Sequence, residues 1–121
     1  MPIDFTLDPK GDVLWVNASS DFFTFEEAYD YIKAIGETAL KEGVSKIFCD
    51  ETQLTHRLEL AETFELAAYS ASLAKGSVKV VLLCHESLSQ AIQLYENATV
   101  NRGLNLKITS NRDEAETWLF G

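Results

Sequence analysis

A chain of 121 residues, 46% hydrophobic and 24% charged, has the composition of one globular domain with enough apolar material for a core. Nineteen acids against ten bases give a net charge of −9, which disfavours nucleic acid and anionic membrane surfaces, since both are recognised through Lys and Arg. Residues 1–70 carry fourteen acids and five bases, and residues 71–121 carry five of each, so a charged partner is expected to be basic.

Ile3, Phe5 and Leu7 alternate with Asp4, Thr6 and Asp8, which predicts a half-buried strand. Pro9-Lys10-Gly11-Asp12 is a turn, and Val13 to Ala18 is a second strand, apolar on both faces. The short gap makes these two an antiparallel hairpin. Thr24 opens the first helix, with Glu27 placed to complete a capping box. Phe25, Ala28/Tyr29, Ile32, Ile35 and Ala39 form its apolar stripe, and Gly43 stops it. Val44 to Asp50 is strand three.

A second helix is expected over Leu60 to Lys75, ended by Gly76. Val78 to Cys84 is strand four. Glu86 to Arg102 is helix three, closed by Gly103. Leu104, Leu106 and Ile108 alternate in strand five, and Asn111 caps a short last helix. The order is ββαβαβαβα: one α/β domain over residues 1–121, with four helices. Strands joined through helices are parallel. Strands one and five alternate, so they belong at edges, and strands two and four lie inside. The expected sheet is mixed and five-stranded, in order 1-2-3-4-5, with strand one antiparallel. Phe48, Val80, Leu82, Ile92, Leu106 and Trp118 are expected in the core.

Helix two is apolar almost all round, from Leu60 and Phe64 to Leu73 and Ala74. Such a helix lies between neighbours or uses its second side for a ligand or a subunit. A homodimer through this helix, or through the hairpin face, is the expected assembly. The two cysteines, Cys49 and Cys84, end apolar runs and read as buried reduced thiols. The N-terminal stretch lacks the marks of a signal peptide, and no apolar run reaches the length of a membrane span, so a cytoplasmic location is expected.

No phosphate-cradling glycine motif, nucleophile elbow or metal-ligand spacing occurs, so no cofactor and no metal are expected. In open α/β sheets the functional crevice lies beyond the carboxyl ends of the parallel strands. Asp50, Thr52, His56 and Arg57 follow strand three there, and His85, Glu86 and Ser87 follow strand four. Asp50 with His85 as an acid/base pair, aided by Thr52 or Ser87, is the enzymatic reading. Turn and capping chemistry accounts for the same residues: Asp50 suits a turn, and Glu86 and Ser87 suit a helix start. No catalytic residue is therefore assigned. The candidate binding residues are Asp50, Thr52, His56 and Arg57, with Leu60 and Phe64 of helix two, and His85 and Glu86.

The hairpin start, VSKIFCD with its loop and helix, KVVLLCHESLSQAIQLYENA and the closing NLKITSNRDEAETWLFG resemble the SpoIIAA-like, or STAS-like, small bacterial proteins. The resemblance covers essentially the whole chain. It implies a sheet flanked by helices and a regulatory role, since the founding members are anti-sigma-factor antagonists that bind a partner kinase. Relatives resemble lipid-transfer CRAL-TRIO domains in fold, which implies the alternative function, a carrier of a small apolar or amphipathic ligand held between helix two and the sheet. In the antagonists a phosphorylated serine lies in an Asp-Ser-Ser/Thr-Gly stretch at the start of helix two. Here that stretch is Leu58-Glu59-Leu60-Ala61, with no hydroxyl. The expected function is thus a non-enzymatic binding module for a protein partner, without that phosphorylation switch.

Overall fold

A computed structural model describes residues 3–55, 58–73, 78–85 and 89–121, with the backbone alone at residues 60, 89–92 and 94. The elements run β1 (Asp4–Lys10), β2 (Val13–Ser20), α1 (Phe25–Glu42), β3 (Lys46–Leu54), α2 (Leu60–Leu73), β4 (Lys79–Cys84), α3 (Ser89–Asn101), β5 (Asn105–Thr109) and α4 (Arg112–Phe120). The strands form one sheet in the order β1-β2-β3-β4-β5. β1 is antiparallel to β2 and every other pairing is parallel, as the patterning implied.

Topology decides where the helices go. The parallel strands follow one another in a single direction across the sheet, and each βαβ connection is right-handed. Three such steps must put α1, α2 and α3 on the same face. α4 follows the last strand, has no strand to return to, and covers the opposite face. The core is split accordingly. Leu14, Val16, Ile47, Cys49, Val80 and Leu82 point to the three-helix side. Phe48, Val81 and Leu83 point to α4, where Ala115 and Leu119 meet them.

Local chemistry sets the helix ends. The Thr24 hydroxyl accepts from the Glu27 amide at 3.2 Å, and the Glu27 carboxylate accepts from the Thr24 amide at 2.8 Å. Gly43 closes α1 at φ 68°, a left-handed conformation that costs glycine little. Asn111 accepts from the Glu114 amide at 3.0 Å and starts α4. Replacing Thr24 by alanine should lower the unfolding free energy by about 1 kcal/mol, read by urea denaturation. No loss would mean that the capping pair does not persist in solution.

Three expectations change, and some others fall on residues that are not described. Strand three runs on to Leu54 rather than ending at Asp50. On α1, Tyr29 is half-exposed and Tyr31 is buried instead, because residues 28, 31, 35 and 39 form the inward stripe. Trp118 is only half-buried, packed against the α4-side core, with the Lys79 ammonium 4.5 Å from its ring centre. α3 is described from Ser89, so Glu86, Ser87 and the Ile92 side chain lie outside the described residues, as does Gly76. Phe48, Val80, Leu82 and Leu106 are buried as expected.

Candidate functional site

The site is built by the end of β3. Asn17 pairs with Asp50, but Ser19 pairs with Gln53, so β3 carries one extra residue across this step. A bulge of this kind lets residues on either side of it face the same way. Cys49 and Glu51 point toward the helices by normal alternation, and Leu54 does so beyond the bulge.

Asp50 and Glu51 therefore serve opposite faces. Asp50 accepts from the Thr52 amide at 3.1 Å and the Thr52 hydroxyl at 2.7 Å, and its other oxygen lies 3.5 Å from the Arg112 guanidinium. Arg112 also lies over the Phe48 ring, 5.1 Å from its centre, and meets Glu116 at 3.2 Å. The expected neighbours Asp50 and Thr52 thus come together, in a network that ties β3 to the start of α4. His85 is exposed directly after β4, and Phe64 is exposed on α2. Leu60 begins α2, but its side chain is not described, and His56, Arg57 and Glu86 lie outside the described residues.

Glu51 lies on the other face, only 6% exposed. The Tyr31 hydroxyl donates to it at 2.8 Å. Glu51 borders a cavity of about 80 Å³ between α1, α2 and the sheet, walled chiefly by Ile3, Phe23, Leu54, Leu66 and Ile108. A second chamber of about 50 Å³ adjoins it, toward Gly36, Val80 and Leu104. Ile32, Glu51, Leu82 and Tyr95 line both chambers. The Tyr95 and Ser70 hydroxyls share a 2.7 Å hydrogen bond. Burial, then the charge of Glu51, holds the Tyr31 phenol well above its ordinary pKa, and burial likewise pushes the Cys49 thiol up. Both stay neutral at physiological pH.

The outer side of α1 and α2 carries a second feature. Tyr29 stacks on Tyr69 with ring centres 4.0 Å apart, and Phe25 continues the row 6.3 Å from Tyr29. Two turns further along α1, Gly36 brings the two helices close: a Cβ there would lie 3.0 Å from the Leu73 side chain. Leu73 is 39% exposed and Leu40, a turn beyond Gly36, is 86% exposed. The seam is largely apolar, with Asp30 and Glu37 near Tyr69 and Lys33 exposed on the same face of α1. Desolvation, then the hydrogen bond with Tyr29, raises the Tyr69 phenol to about 12, with Glu37 and Asp30 adding to the shift.

A space between helix two and the sheet was expected from the sequence, but its Glu51 and Tyr31 lining and the seam were not. Glu51 was placed in a loop, although Cys49 and Glu51 already kept the period of two. Tyr31 was readable from the spacing 28, 31, 35, 39. The meeting of Tyr29 with Tyr69 depends on how two helices pack, which neither helix encodes alone.

Among the described residues, no group of His, Cys, Asp and Glu is placed to hold a metal ion, and no helix is long and apolar enough to cross a membrane. No family model matches the chain, and no curated protein matches it. The crystal structure of an anti-sigma factor antagonist from Mycobacterium paratuberculosis superposes on it with a TM-score of 0.66 at 13% identity, over 98% of this chain and 95% of that one. The match runs through the whole domain, and the chain has the STAS-like, or SpoIIAA-like, fold.

Proposed function

We propose that this protein is a non-enzymatic regulatory module that binds a protein partner along the α1–α2 seam. The single observation that carries the reading is that row of half-exposed and exposed side chains, Phe25, Tyr29, Tyr69, Leu73 and Leu40, lying beside Asp30 and Glu37. Aromatic anchors supply most of the energy at protein interfaces, and an acidic rim selects and steers a basic partner. The likeness in fold to an anti-sigma factor antagonist supports the regulatory role. The occupant is a protein surface with apolar sockets rimmed by Lys and Arg.

The partner retained by the wild-type protein from its source cells, identified by mass spectrometry, should be lost with Leu40→Asp and with Tyr69→Ala. It should also be weakened several-fold by raising the salt, because charge at the rim is screened. A partner that survives both substitutions undiminished contradicts the seam. A second copy of the chain as the only species retained would replace the basic partner by the homodimer.

Binding should be independent of phosphorylation. At the start of α2 the Glu62 carboxylate already accepts from the Glu59 amide at 3.4 Å, and the Thr63 hydroxyl donates to the Glu59 carbonyl at 2.9 Å. A phosphate there meets two carboxylates, and like charges repel. Phosphopeptide mapping of the protein from its own cells should find no stoichiometric phosphate on Thr52, Thr55 or Thr63. Finding one would restore the antagonist-type switch.

A further inference from the structure

We infer that the outer edge of β5 is an interaction surface for a second copy of this chain, kept closed in the isolated chain by the Glu96 side chain. This edge shares no residue with the α1–α2 seam, so each surface is tested separately.

β5 is the last strand of the sheet and has a neighbour, β4, on one side only. Along a strand, successive residues turn their backbone N–H and C=O groups to alternate sides. The Leu104 amide donates to the Thr99 carbonyl at 3.1 Å, and the Ile108 amide donates to the Glu96 carboxylate. Both acceptors belong to α3, outside the sheet. The even-numbered residues therefore turn their backbone away from β4, and Asn105, Lys107 and Thr109 bond to it. Leu106 stands midway on the outer side. Among the described residues, no bond from α3 or α4 reaches its amide. Glu96 thus takes the place that the carbonyl of a sixth strand would occupy. A groove of about 400 Å³ runs beside this edge, between Asn97, Val100 and Asn101 of α3 and the Lys107 and Trp118 side chains.

An open strand edge is a template for another strand, and proteins blunt such edges with prolines and charges. β1, the opposite edge, carries Pro9 and the exposed Asp4, Asp8 and Lys10. β5 has no proline, and its one charge, Lys107, is held by Glu114 of α4 at 3.2 Å. Its protection therefore rests on Glu96. The occupant that fits is a second β5. Across a two-fold axis at Leu106, two such strands run antiparallel, and the outward N–H and C=O of each copy meet the same groups of the other. Once Glu96 leaves Ile108, that amide gains the Leu104 carbonyl of the second copy, and one further bond forms in each direction. Charge permits the approach, because residues 71–121 carry five acids and five bases, whereas residues 1–70 carry the whole excess of −9. Val100, 47% exposed beside the groove, meets its own copy across the axis and gives the joined sheet an apolar cover.

Analytical ultracentrifugation and amide hydrogen exchange of the full chain test this. Glu96→Ala should double the mass of the wild-type species as concentration rises. Glu96→Gln keeps an acceptor oxygen and should behave as the wild type. Val100→Glu, added to Glu96→Ala, sets like charges on the axis and should restore the wild-type mass. In dilute wild type the Leu106 amide should exchange faster than the Ile108 amide by about tenfold or more, a comparison that needs no variant to fold. In dilute Glu96→Ala the Ile108 amide should exchange as fast as Leu106, and both should slow as the dimer forms. Glu96→Ala at the wild-type mass, a dimer that survives Val100→Glu, or a Leu106 amide as protected as Ile108 in dilute wild type would each overturn the assignment.

Discussion

Phe48→Ala should lower the unfolding free energy by about 3–5 kcal/mol, the range for truncating a buried phenylalanine. Phe48 is 1% exposed and sits at the centre of the smaller core, on the α4 side of the sheet. Trp15 packs against it with ring centres 5.1 Å apart, and Arg112 closes over it. Among the described residues, only Val81, Leu83, Ala115 and Leu119 are buried with it, so few neighbours can collapse into the space left behind. The loss is a large share of the roughly 5–15 kcal/mol that holds an ordinary domain folded. Leu82→Ala, on the other face, should cost about 2–5 kcal/mol, nearer the lower end because Leu82 already borders the cavity and its surroundings can relax. Urea denaturation of both variants checks the pair, and a loss below about 1 kcal/mol at either site contradicts the packing described.

Stability should fall steeply in alkali. Tyr31 and Cys49 are buried neutral, and both have raised pKa values in the folded state. Unfolding exposes them to water, where the thiol ionises near pH 8.5 and the phenol near 10. Above those values the unfolded chain has released protons that the folded chain still holds, so folding binds protons and stability declines as pH rises. Below pH 8 both states hold them, and the contribution is fully present. Each group adds a slope of about 1.4 kcal/mol per pH unit once its unfolded form is ionised. Tyr69, raised to about 12, adds to the same trend.

Tyr31→Phe separates the two roles of that phenol. At pH 7 it should cost about 1–3 kcal/mol, because Glu51 loses a buried hydrogen-bond donor. Above pH 10 the variant should lose stability less steeply than the wild type, by about one proton's worth of slope. Denaturation midpoints between pH 7 and 11 measure both effects. Parallel curves for the two proteins would show that Tyr31 ionises normally in the folded chain.

Architecture was legible in the sequence because it rests on periodicity and punctuation. Strands one and five alternate and prove to be edges; VLWVNA and KVVLLC are apolar on both faces and prove internal. Thr24, Gly43 and Asn111 mark helix ends as their chemistry requires. What stayed hidden has a common origin. Glu51 looked like loop because a charged residue at a strand end is usually solvated, and the bulge that carries the strand on to Leu54 leaves no mark in the residues themselves. Tyr31 completes the inward spacing 28, 31, 35, 39, which a stripe drawn through Tyr29 and Ile32 passes over, and its hydroxyl finds Glu51 on that side. Trp118 stays half outside because Lys79, whose ammonium donates to the Trp118 carbonyl at 2.6 Å, covers its ring.

The α1–α2 seam is the central claim, and cross-linking mass spectrometry of the captured complex tests it most directly. Amine-reactive reagents report on Lys33 and Lys41, both on α1, and on Lys79 and Lys107, in the strands on the α4 side. Cross-links from the partner should concentrate on Lys33 and Lys41 and disappear with Leu40→Asp. A partner joined mainly through Lys79 and Lys107 would place the interface on the other face of the sheet and contradict the account.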